Sequence, residues 1–156
     1  MSNASADATV ARTVWWQGAL MTIKASARDT DGQLGLVEAD FPGDFGGPPL
    51  HIHSREDEAF YVLDGEIRFR QADDELVAGP GTYVYCPRGI PHAFKVGEGG
   101  ARALVLMLPA GLEEMFAEGG FPAEQGNPPP QAEYDVESVQ AMAEKYGWEI
   151  VGPPLS

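Results

Sequence analysis

The 156-residue chain contains three histidines, and all three stand at spacings that metal coordination uses. His51 and His53 are separated by one residue and followed, after four intervening residues, by Glu58. In a strand, residues i and i+2 face the same side, so the two imidazoles project together. Residues 54–57 turn the chain, and Glu58 opens the next strand, where its carboxylate can meet them. His92 closes a second pattern: Gly81, five residues, Pro87-x-Gly89, two residues, His92. Its glycines and proline make a tight reversal that brings the third imidazole to the head of a strand. Three imidazoles and a carboxylate form an N₃O set that suits one divalent transition metal per chain: Fe, Mn, Co, Ni, Cu or Zn. An octahedral ion so held keeps two positions for substrate, water or dioxygen. Calcium and magnesium, which prefer all-oxygen shells, do not match it. An isolated HxH is more often two polar side chains on a solvated strand face; two matching spacings in order favour the metal.

Positioning such a set requires short strands and tight turns, and from residue 13 to 108 the chain offers little else. Short apolar or alternating runs at 13–17, 20–24, 34–41, 50–53, 58–63, 66–70, 75–78, 82–85, 92–96 and 102–108 are punctuated by Gly, Pro and Asp. This is the grammar of an all-β, antiparallel domain, placed at residues 12–110. Asp64-Gly65 is expected to form a two-residue hairpin turn. Gly79-Pro80-Gly81 and Pro87-Arg88-Gly89 are read as further reversals. Beyond Pro109 the periodicity becomes helical. Leu112, Met115 and Phe116 predict a short helix ended by Gly119-Gly120. The proline run within 127–131 is expected to be extended, and Asp135 to cap a helix whose Val136, Val139, Met142, Ala143 and Tyr146 share one face, ended by Gly147. Residues 111–156 are thus expected to form a helical extension packed on the barrel or on a partner subunit.

With its first motif carried by His51, His53, Glu58 and Gly65, and its second by Gly81, Pro87, Gly89 and His92, the chain resembles the cupin superfamily. Two positions depart. The opening glycine of the first motif falls at Phe45, just before Gly46 and Gly47, and the closing asparagine of the second is Val96. The resemblance implies an antiparallel jelly-roll barrel and a homodimer. In detail the stretch from Pro48 to Glu66 is similar to small single-domain cupins compared with quercetin 2,3-dioxygenases. That similarity implies a dioxygenase acting on a small enol or phenol, flavonol-like, with Glu58 as the catalytic base and dioxygen as co-substrate. An oxygen-independent cyclase or isomerase, and a non-catalytic sensor or binding protein, use the same residues and stay open. Strand parity from Glu58 and His92 places Phe60, Val62, Phe94 and Val96 inward. Phe60, Val62, Tyr83, Phe94 and Met107 are the expected substrate pocket, with Trp15, Trp16, Tyr85 and Leu106 as further walls.

Composition narrows the classes. A formal net charge of −14 with scattered basic residues opposes nucleic acid and anionic lipid. No Arg or Lys cluster accompanies the histidines, which counts against phosphosugar substrates. The lone Cys86 cannot form an internal disulfide and is read as a buried apolar residue, which suits a reducing compartment. The first ten residues lack a basic start and an apolar run, and no stretch reaches membrane-spanning length, so a cytoplasmic location is expected. Residues 111–156 carry nine acidic residues against the single Lys145, read as a solvated surface.

Overall fold

The alternating runs become strands in the computed structural model, which describes residues 11–123, 129 and 136–156. In chain order these are β1 Arg12–Trp16, β2 Ala19–Ala25, β3 Gly35–Phe41, β4 His51–His53, β5 Asp57–Gln71, β6 Asp74–Ala78, β7 Tyr83–Cys86 and β8 His92–Leu108. Helix α1 Glu113–Gly119, β9 Phe121–Pro122, helix α2 Val136–Tyr146 and β10 Trp148–Ile150 follow. All pairings are antiparallel, in the order β10-β4-β8-β3-β2-β1-β9, with β5 joined to β6, β7 and β8. This is the all-β jelly-roll barrel of the cupin type that the sequence leads one to expect.

Alternation decides which side chains fill it. In β5, Phe60, Val62, Ile67 and Phe69 are each no more than 1 % exposed. Burying such a side chain is worth about 1.5–3 kcal/mol, so this one strand is a principal contributor to the core. Opposite it, β8 turns Phe94, Val96, Ala103, Val105 and Met107 inward. Cys86 is also buried, and burial pushes its thiol upward, which leaves it a small apolar core residue as expected.

The expected hairpin at Asp64-Gly65 does not form. Strand β5 runs through these residues, and both halves pair with β8: Asp57 to Gly65 with Leu108 to Ala101, then Ile67 to Gln71 with Val96 to His92. Gly65 does adopt a positive φ of 77°, but the conformation serves a bulge where the long strand bends. Asp-Gly reports the local backbone angle, which hairpins and bends share. The same bend merges the runs expected at 58–63 and 66–70, and at 92–96 and 102–108, into single strands. The two-residue hairpins lie instead at Gln17-Gly18, both with positive φ, and at Ala72-Asp73. A Cβ on Gly65 would fall 2.7 Å from the Ala101 Cα and closer still to the Gly100 carbonyl. Gly65→Ala is therefore expected to destabilise by about 3 kcal/mol, read as a lower urea midpoint at unchanged slope.

Helix α1 ends where expected, its Gly120 N–H closing on the Phe116 carbonyl. Its buried Glu113 accepts the N–H groups of Ala27 (2.8 Å) and Gly111 (2.6 Å), pinning the helix to the β2–β3 loop. In α2 the inward residues are Val139, Met142, Ala143 and Tyr146, whereas Val136 is 80 % exposed and does not share that face. Lys145 pairs with Glu118 at 2.7 Å, and the Tyr146 hydroxyl donates to the same carboxylate, joining the two helices. The cap expected at Asp135 and most of the proline run lie outside the described residues. Gly147, with a positive φ of 72°, ends α2 as expected, and β10 then adds to β4, Trp148 opposite His53 and Ile150 opposite His51. No described helix is long and apolar enough to cross a membrane.

Candidate metal centre

The three-residue strand β4 has the burial pattern in-between-in, so His51 and His53, each 5 % exposed, point into the barrel while Ile52 points away. His92, at the head of β8, is the register partner of His51. Glu58, second in β5 and paired there with Cys86 of β7 and Met107 of β8, reaches the same centre. The Nε2 atoms of His53 and His92 each lie 3.0 Å from Glu58 Oε2, and those of His51 and His53 are 3.1 Å apart. One ligand atom from each of the four residues lies within 4.8 Å of all the others. A first-row ion with bonds of roughly 2.0–2.2 Å separates neighbouring ligands by about 3 Å and opposite ones by about 4 Å, close to this spacing.

Hydrogen bonding supports the same fit. His51 donates Nδ1–H to the Pro49 carbonyl at 2.7 Å, which leaves a lone pair on its Nε2. That lone pair faces His53 Nε2, and His53 in turn faces a carboxylate. The three Nε2 atoms and the Glu58 carboxylate therefore converge closely enough to share one ion. The buried His-His-Glu-His cluster fits a divalent metal site.

Protonation follows from the crowding. Burial, then the charges of His92 and His53, push His51 down to about 3. Burial also pulls His53 down, but the carboxylates of Glu56 and Glu58 outweigh it and raise it to about 9. For Glu58, burial works upward and is overcome by hydrogen bonds and charge from His53 and His92, which hold the carboxyl far below the usual carboxylate range. Glu58 is thus ionised although it is buried.

A cavity of about 80 Å³ opens on His51, His53 and Glu58. Phe60 and Phe94 line it, as parity predicts, and so does Trp16. Val62 and Met107 are fully buried but belong to the core, not to the wall. Tyr83 is 58 % and Tyr85 46 % exposed, so neither is a pocket residue. Register gives the reason: Cys86 pairs with Glu58, so Tyr85 and Tyr83 pair with Ala59 and Tyr61 and take the outward parity. Trp15 and Leu106 also lie off the wall. The remaining wall comes from Met21, Phe41 and Val105 on other strands, and from Leu112, Met115 and Phe116 around α1. The helical spacing of the last three is visible in the sequence; their place beside the cavity is not. Phe45, which replaces the motif's opening glycine, lines the cavity and packs 5.1 Å from Phe41 and 6.3 Å from Phe94. Apart from the ligating residues, Gln17 is the polar side chain on this wall.

Comparison with known proteins agrees with this geometry. The family profile described as "Cupin domain" matches residues 38–109, a span that holds all four converging residues. The chain carries a cupin domain. Over 107 residues this cupin is 26 % identical to the quercetin 2,3-dioxygenase of Bacillus subtilis (strain 168), which covers 67 % of the chain but 31 % of that enzyme. The chain thus spans about a third of the length of that relative. Among solved structures, the cupin is similar to KdgF from Halomonas sp. (TM-score 0.56, 21 % identity, 62 % of this chain and 84 % of that one). It is also similar to a predicted oxalate decarboxylase from Thermotoga maritima (TM-score 0.55, 19 % identity, 58 % of this chain and 80 % of that one). These structural likenesses show the fold.

Proposed function

We propose that this cupin is a metal-dependent enzyme, a dioxygenase of small enols or phenols, with one divalent transition metal held by His51, His53, Glu58 and His92. The observation that carries the reading is the junction of four converging ligand atoms with an apolar cavity. Affiliation with a quercetin dioxygenase supports the reaction class. The bound ion would supply Lewis acidity that stabilises a substrate oxyanion. Glu58 acts as the general base: its carboxylate borders the cavity where a substrate hydroxyl would lie. Phe45, Phe60 and Phe94 provide flat apolar surface for an unsaturated substrate and keep water from the reacting atoms.

Cavity size sets the substrate scale. A cavity of about 150 Å³ is known to hold benzene. At about 80 Å³, this one matches a fragment of a few heavy atoms, or a single ring after small side-chain adjustments. A three-ring flavonol would extend beyond it toward solvent. The test is metal analysis of the purified protein, then oxygen uptake with the identified metal and a panel running from small enols and catechols to flavonols. Faster uptake with the small members than with the flavonols is expected. Product formed equally well without oxygen would instead identify an isomerase or cyclase, and saturable binding without product a binding protein.

A further inference from the structure

Two buried carboxylates among the described residues lie outside the four-residue cluster, and they are held in opposite ways. Both oxygens of Glu113 accept backbone N–H groups, so its role is structural. Glu56 is 4 % exposed, yet its Oε1 has no hydrogen-bond partner. It lies 3.4 Å from His53 Nδ1, a buried ring nitrogen that also lacks a hydrogen-bond partner. Two buried polar atoms that face each other without a hydrogen bond are costly, and a small ring rotation would join them.

We propose that Glu56 is a positioning residue of the metal centre: its carboxylate accepts the Nδ1–H of His53, fixing the tautomer that turns the Nε2 lone pair toward the shared ion. The assignment rests on the metal reading above. It completes a pattern already half made. His51 has its Nδ1–H fixed by the Pro49 carbonyl, and its neighbour on β4 needs an equivalent acceptor. Glu56, three residues beyond His53 in the turn before β5, is the group placed to provide it. Charge points the same way. A divalent ion ligated by one carboxylate leaves a net positive charge in a buried site, and the second carboxylate brings the sum to zero. Glu56 reaches the ion only through His53, so its effect is on how the imidazole is held.

The experiment uses Zn²⁺ alone as probe, with affinity measured by chelator competition on the full chain, Glu56→Gln and Glu56→Met. Methionine removes the acceptor, and about a 10- to 100-fold loss of Zn²⁺ affinity is expected, with the metal-free melting temperature within a few degrees of the parent. Glutamine keeps an acceptor oxygen and is expected to recover most of that loss. Affinity unchanged within twofold in Glu56→Met would overturn the proposal, as would a lower melting temperature with affinity intact. If Glu56→Met does not fold, ¹⁵N spectra of the Zn²⁺-loaded parent decide. With three histidines the signals can be assigned; a proton on His53 Nδ1 supports the proposal and a bare Nδ1 overturns it. A parent chain that binds no Zn²⁺ overturns the metal reading itself, and this assignment with it.

Discussion

Replacing Glu58 with glutamine is expected to lower turnover by about 100-fold or more while most of the metal stays bound. Glutamine is nearly isosteric, retains a carbonyl oxygen that can ligate, and leaves the three imidazoles in place. What it loses is basicity. In the parent, Glu58 lies 3.0 Å from the Nε2 atoms of both His53 and His92, which hold the buried carboxyl ionised. An amide in that position cannot take a proton, and a general base is worth about 10²- to 10⁴-fold in rate. The measurement pairs steady-state turnover with metal content on the same preparation. Parallel loss of both would reduce Glu58 to a ligand and leave the base to be found elsewhere.

Removing residues 148–156 is expected to cost about 4 kcal/mol of stability and at least tenfold in metal affinity, although none of the four converging residues is deleted. Strand β4 is three residues long and meets β8 at one register position, His51 with His92. Its other edge is covered by β10. Next to that ladder, Val151 and Gly152 donate to the Leu50 carbonyl at 2.8 and 3.2 Å, and Leu50 donates to the Pro153 carbonyl at 3.1 Å. Trp148 packs against the core with its ring 5.9 Å from that of His51. Each such hydrogen bond contributes roughly 1 kcal/mol, and loss of the tryptophan contact adds to the deficit. Urea unfolding of the metal-free forms and chelator competition read the two effects separately. Unchanged affinity in a folded truncation would show that β4 is held well enough from the barrel side alone.

The barrel and the four converging residues were legible because both are written in short-range patterns. Alternation in β2, β3, β5 and β8 follows from strand geometry, and HxH places two rings on one face of any strand. What escaped depends on contacts between distant parts of the chain. Tyr83 reads as an aromatic wall until its register with Tyr61 is known, and the outward parity of Tyr61 then places it outside. Asp64-Gly65 carries the angle of a turn, but whether the chain reverses there is decided by β8, which pairs with both flanks. Trp148 to Ile150 is too short to show alternation, and its partner lies almost a hundred residues earlier. Leu112, Met115 and Phe116 announce a helix face without saying that the face borders the cavity.

The backing of β4 by β10 also orders events during synthesis. On the ribosome, all four donors emerge well before residues 148–153 do, so the growing chain carries them while the strand bearing His51 and His53 still lacks one of its two flanking partners. The proposed metal site is then completed only once residues 148–153 have joined β4. Prolonged stalling between His92 and Trp148 would leave an adhesive strand edge beside loosely held histidines, a target for chaperones and for misplaced ions alike.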